Sequence, residues 1–70
     1  MLSKRSLLKE IMEKQISVYV SREAPLVVKR DSLPHGLITN IGEDIFEVTY
    51  QGYKQYCSID MIAVFQDFSF

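Results

Sequence analysis

From Gly36 to Phe65 the chain has room for short strands and almost nothing between them. Leu37 to Ile41 is β-prone, and Gly42-Glu43-Asp44 interrupts it as a tight turn in which Gly42 can take a positive φ without steric cost. Ile45 to Tyr50 resumes with a period of two, which sets Phe46, Val48 and Tyr50 on one face. Gln51-Gly52 reads as a second tight turn, and Tyr53 to Cys57 as the next strand. After the short link Ser58-Ile59-Asp60, Met61 to Gln66 reads as a closing strand. Connections this short force antiparallel neighbours, because a parallel crossover needs a dozen residues or more.

The N-terminal part changes its periodicity once. Ser3 or Ser6 can cap a helix, and Leu7, Leu8, Ile11 and Met12 recur at the spacing of one helical face, with Lys4, Lys9, Glu10, Glu13 and Lys14 mostly on the other. The pattern predicts a helix over about 4–14, too short to stand alone in water, so it needs a sheet to dock on. From Ile16 to Ser21 the period becomes two, with Ile16, Val18 and Val20 on one side of a half-buried strand. Arg22 to Pro25 breaks it, Leu26 to Lys29 is β-prone again, and Asp31 to Gly36 is a polar turn or bulge. The fold class expected is mostly β: a single domain over 1–70, with an N-terminal α-helix on a five-stranded, strongly bent antiparallel sheet, a small barrel of SH3 type.

Seventy residues bury a modest core, and chains of this size commonly lean on a disulfide, a metal or a partner subunit. Cys57 is the single cysteine and His35 the single histidine, so neither an intrachain disulfide nor a structural zinc is expected, and oligomerisation is left as the support. A lone free thiol fits the reducing cytoplasm. The longest apolar run, Met61 to Phe65, is far too short to span a bilayer, and the charged residues after Arg5 do not make a signal peptide. Charge is polarised: residues 1–30 hold seven Lys/Arg against three acids, a balance of +4, and residues 31–70 hold one Lys against six acids, a balance of −5. Such a chain can show a basic face while staying acidic as a whole, although an uneven spread is also ordinary in a small soluble domain.

No catalytic constellation is present. Cys57 has no histidine in its strand or the adjacent turn, Gly42-Glu43-Asp44 is no phosphate loop, and Asp44 with Asp60 lacks the further ligands a cation needs. A non-enzyme without cofactor or metal is expected. The residues able to meet a nucleic acid are of three kinds. Tyr19, Tyr50, Tyr53 and Tyr56 could stack on bases, with Tyr53 and Tyr56 singled out because they flank Lys54; the competing role for each is strand packing with a wet hydroxyl. Asn40 carries donors and an acceptor for a base edge, or else caps its turn. Lys4, Arg5 and Lys9 could contact phosphates, or form a solvated helix surface.

The order of elements resembles the Sm/LSm superfamily, including its bacterial Hfq type. "LLKEIMEKQISVYV" resembles the helix that leads into the first strand, "GLITNIGEDIFEV" the first Sm motif, and "YKQYCSIDMIAVF" the last two strands. Small Sm-like proteins carried by phages are the nearer neighbourhood of that resemblance. The chain departs from the pattern at three places. Gly42 stands where the motif has Asp, with Asp44 two residues on; Ser58-Ile59-Asp60 stands near the place of the Arg-Gly pair; and Tyr53-Lys54-Gln55 is half of a Tyr-Lys-His signature. The stretch from Val20 to Gly36 is also longer than the usual first hairpin, which predicts an enlarged loop or extra ribbon.

The resemblance implies binding of single-stranded RNA in RNA processing or regulation, by a homo-oligomeric ring of about five to seven subunits closed head to tail. It implies contacts from Asn40, Tyr53, Lys54 and Tyr56 with the basic helix residues, and a pore lined by the turns of Gly42, Glu43, Asp44, Ser58 and Asp60. Unprotected edge strands at Tyr53–Cys57 and Met61–Gln66 put Tyr53, Tyr56, Ile62, Val64 and Phe65 at the subunit interface. Glu43, Asp44 and Asp60 would repel phosphate there. The acidic pI of about 5.7 and the missing Arg-Gly pair favour a rival, an SH3-like protein-interaction or structural module with no nucleic-acid role.

Overall fold

A computed structural model describes residues 3–21 and 26–64. Helix α1 (Lys4–Glu13) starts where Ser3 Oγ accepts the amide of Ser6 at 3.1 Å. It ends in a double cap. Gln15 takes the left-handed conformation at φ 54° and donates to the Met12 carbonyl, while Ile16 N donates to the Ile11 carbonyl, each at 3.1 Å. This 6→1 and 5→2 pair satisfies the last carbonyls and turns the chain straight into a strand. Leu8 and Ile11 are fully buried, and Leu7 and Met12 pack beside them, so the apolar face is the docked face.

The strands are β1 (Val18–Ser21), β2 (Leu26–Lys29), β3 (Gly36–Ile41), β4 (Ile45–Tyr50), β5 (Tyr53–Ser58) and β6 (Ala63–Val64). They form one sheet in the order β5-β4-β3-β1-β2-β6. The first five pair antiparallel throughout, as the short connections require. The mostly β class and the helix-first order therefore hold. The sheet does not close: β5 and β6 stand at its two ends.

Two details differ from the sequence expectations. The closing strand begins at Ala63 rather than Met61 and runs parallel to β2, with Leu26 opposite Ala63 and Val27 opposite Val64. The link before it is longer because Ile59 and Ile62 both turn inward and bury, leaving Met61 exposed between them. Residues 65–70, which include Phe65, lie outside the described residues. The positive φ falls at Gly52, at 100°, and not at Gly42. The Gln51-Gly52 connection joins directly opposed Tyr50 and Tyr53 and needs that conformation, whereas the roomier Gly42 turn closes through Gly42 N to Ile45 O at 2.8 Å. The extra ribbon expected after Val20 is present, with β2 laid along β1 from Val18↔Lys29 to Ser21↔Leu26. Arg30 N extends it by donating to Ser17 O at 3.0 Å.

The core lies between helix and sheet. Val18, Val20, Val27, Ile38, Phe46, Val48 and Tyr50 face it from the strands, and Ile59 and Ile62 close its end. Tyr50 buries its hydroxyl by accepting the Val20 amide at 3.0 Å, which bolts β4 to β1 across the core. Gly36 sits where β1, β3 and β4 converge. A Cβ there would stand 2.8 Å from Thr49 O and 2.9 Å from Val48 Cγ1, so the crossing admits only glycine.

Candidate functional site

Strand parity sorts the expected contact residues. On β5, alternation sends Tyr53, Gln55 and Cys57 to the core side and Lys54 and Tyr56 to the outer side. Tyr53 and Tyr56 are three residues apart, an odd number, so they cannot share a face. Tyr53, 48% exposed, stacks on Tyr50 with ring centroids 4.9 Å apart and planes 20° from parallel. Tyr50 in turn meets the edge of Tyr19, and Arg30 lies 4.9 Å above the Tyr19 ring. Tyr19, Tyr50 and Tyr53 thus form a row of ring contacts, and Tyr53 and Tyr56, both expected to meet a nucleic acid, stand on opposite sides of β5.

The outer side gathers the remaining residues. A β-bulge between Ile38 and Asn40 leaves Thr39 out of the residue-by-residue register with β4. The bulge turns two successive residues outward. Thr39 Oγ1 donates to Glu47 Oε1 at 2.5 Å and lies 2.8 Å from Thr49 Oγ1. Because the carboxylate only accepts, the order of donation is Thr49 to Thr39 to Glu47. Asn40 pairs with Glu47 and Glu47 with Tyr56, so amide, carboxylate and phenol stand in one row across three strands. Lys54 Nζ is 4.0 Å from Glu47 Oε2, a loose surface pair. The Thr39 hydroxyl, then the Tyr56 hydroxyl and the Lys54 ammonium, hold the Glu47 carboxyl below its ordinary value. The same hydrogen bond to Glu47 pushes the Tyr56 phenol up.

A pocket of about 160 Å³ opens on this row, lined by Asn40, Gly42, Ile45, Phe46, Glu47 and Tyr56. Tyr56 is 60% exposed and walls it. Glu47, Thr39 and Ile45 escape a search for basic and aromatic residues. Their signal was the turn: Gln51-Gly52 fixes Tyr50 opposite Tyr53, and counting back sets Glu47 opposite Tyr56.

The two acidic turns do come together. Ile59 N donates to Asp44 O at 2.8 Å, which brings Gly42, Glu43 and Asp44 beside Ser58 and Asp60 at one end of the sheet. The helix is tied to the same end, where Lys4 Nζ donates to Asp60 O and Arg5 Nε to Gly42 O, both at 3.1 Å. Lys4 and Arg5 therefore act first as tethers between helix and turns. Lys9 is exposed one turn farther along, beside Met12 and Ile41. Of the residues expected at a subunit interface, Ile62 is 1% exposed and belongs to the core of its own chain, so it offers no surface to a neighbour. Val64 lies in β6, and Tyr53 and Tyr56 project from opposite faces of β5.

A second, more open groove of about 360 Å³ lies between the end of β1 and the inner side of β5, where Cys57 lines it beside Met61. Burial pushes the Cys57 thiol up, away from the thiolate a nucleophile needs. Among the described residues no group of three His, Cys, Asp or Glu is placed to hold a metal, and no helix is long and apolar enough to cross a membrane. Compared with protein-family models, with curated proteins and with solved structures, the chain gives no match.

Proposed function

We propose that this chain is an Sm-like module, not an enzyme, that binds single-stranded nucleic acid, RNA first, through the outer face of β3–β5. The observation that carries the reading is the pocket that Asn40, Glu47 and Tyr56 line together, with Lys54 Nζ 4.0 Å from Glu47. An exposed aromatic face accepts a base, a side-chain amide pairs with its edge, and an ammonium beside them meets phosphate. The helix followed by five antiparallel strands supports the Sm kinship, and β5 and β6, which among the described residues have a neighbour on one side only, support assembly. In that assembly the sheet curves, β5 of one subunit pairs with the closing strand of the next, and the head-to-tail contact closes as a ring of about five to seven subunits. The turns of Gly42 and Ser58–Asp60 would then face its centre, and one weak pocket per subunit would add through multivalency.

The exposed acids Glu43, Asp44 and Asp60 favour the second reading, an SH3-like protein-interaction or structural module, because they lie at the end where a strand of RNA would enter. Titration of labelled single-stranded oligonucleotides at low and moderate salt separates the two. The proposal expects saturable binding that weakens steeply as salt rises. Absence of binding at roughly tens of micromolar protein in low salt favours the rival.

A further inference from the structure

We propose that Glu47 is a brake on this face: its carboxylate competes with phosphate for Lys54, so that binding of a nucleic-acid strand is coupled to protonation of Glu47. This rests on the nucleic-acid reading and adds how the site is regulated.

Charge raises the question. Of the described residues that line the pocket, Glu47 alone is charged, and its charge is negative. A nucleic-acid strand brings a negative charge with every phosphate, so the carboxylate opposes the ligand proposed for the face. It is also held there. Thr39 Oγ1 donates to Glu47 Oε1, and Thr49 Oγ1 lies 2.8 Å from Thr39 Oγ1, so two hydroxyls in series fix the carboxylate from β3 and β4. The Glu47 side chain is 16% exposed, which leaves little solvent to screen its charge.

Lys54 is the shared partner. It is the single Lys or Arg in β3, β4 and β5, so a phosphate on this face and Glu47 draw on the same ammonium. That ammonium lies 4.0 Å from Glu47 Oε2, and the Lys54 side chain is 57% exposed. A pair so long and so open is weak, and its cation can pass to a second anion. The ionised carboxylate holds Lys54 back, and the protonated one releases it.

The surroundings leave this role to Glu47. No ionisable side chain faces it from β3, and β5 presents Lys54 and the phenol of Tyr56. Glu43, Asp44 and Asp60 stand at the end of the sheet, where Lys4 and Arg5 are tied to the turns. Because they too are carboxylates, the test varies Glu47 by itself. The Thr39 hydroxyl holds the Glu47 carboxyl below its ordinary value, so it is ionised at neutral pH and takes up a proton only in acid. A phosphate bound nearby favours the neutral form. Strand binding therefore takes up a proton, and affinity rises as pH falls through the Glu47 value.

The test measures binding of a labelled uracil homo-oligonucleotide, whose bases neither gain nor lose a proton in mildly acidic solution, at one salt concentration. At neutral pH Glu47→Gln, which keeps an oxygen for Thr39, is expected to bind about twofold to fivefold more tightly than the parent chain. The gain should shrink as pH falls, because Glu47 of the parent then becomes neutral. In a Lys54→Ala background the same substitution should gain nearly nothing, since no ammonium is left to release. Independently of any variant, calorimetry of the parent chain in mildly acidic buffers of different ionisation enthalpy should show proton uptake on binding. Equal affinity of Glu47→Gln and parent at neutral pH, a gain that persists without Lys54, or binding without proton uptake overturns the inference and leaves the nucleic-acid reading standing. No binding of the oligonucleotide at any pH removes that reading and the inference with it.

Discussion

At the scale of the residue, two positions show how local chemistry fixes the sheet. Gly36 is needed for space: a methyl group there meets backbone at 2.8 Å and cannot be relieved by moving a side chain. Gly36→Ala should cost about 1–3 kcal/mol, read as a lower urea midpoint, and an unchanged midpoint would mean that β1 and β4 do not converge there. Glu47 is needed for charge. Its carboxyl is held low by Thr39, Tyr56 and Lys54, so the folded chain binds its proton less readily than the unfolded chain. That contribution is complete above the ordinary carboxylate range and is lost as pH falls through the folded value. Urea midpoints of Glu47→Gln should therefore fall less than those of the parent chain between neutral and acidic pH. A parallel decline in both would show that the Thr39–Glu47–Tyr56 row does not form in solution.

The secondary-structure element is the scale at which the sequence was most legible and also most misleading. Phe46, Val48 and Tyr50 alternate so regularly that β4 and its buried face could be read directly, and the Leu8–Ile11 face of α1 likewise. The site was less legible because nearness along β5 suggested one cluster, Tyr53-Lys54-Tyr56, where strand alternation makes two. The bulge at Thr39 has no sequence signature, since no glycine or proline marks it, yet it turns Asn40 toward Tyr56. The pairing of β6 with β2 was hidden for another reason: Ile62 reads as a strand residue and Ile59 as part of a link, yet both serve as plugs for the core. The division of β5 gives a test. Tyr56→Ala should weaken oligonucleotide binding by about 1–3 kcal/mol with little change in stability. Tyr53→Ala should lower stability through the lost Tyr50 stack and leave binding nearly intact. The opposite pattern would move the site to the core side of the sheet.

For the whole molecule, the open sheet sets the question. Among the described residues of this 8.1 kDa chain, β5 and β6 each have a sheet neighbour on one side only, an arrangement in which a second copy can pair with the outer edge. Light scattering should give a mass of about five to seven chains, stable on dilution to micromolar protein. A mass of one chain at high concentration would rule out the ring. The claim that the outer face of β3–β5 receives a single-stranded nucleic acid is tested most directly by amide chemical-shift mapping, as an adenine homo-oligonucleotide is titrated into isotopically labelled protein. The account predicts that the largest shifts fall on Asn40, Ile45, Glu47 and Tyr56, with Leu8, Ile11 and Tyr19 nearly unmoved. Shifts centred on Tyr19 and Arg30, or none at saturating oligonucleotide, would contradict it.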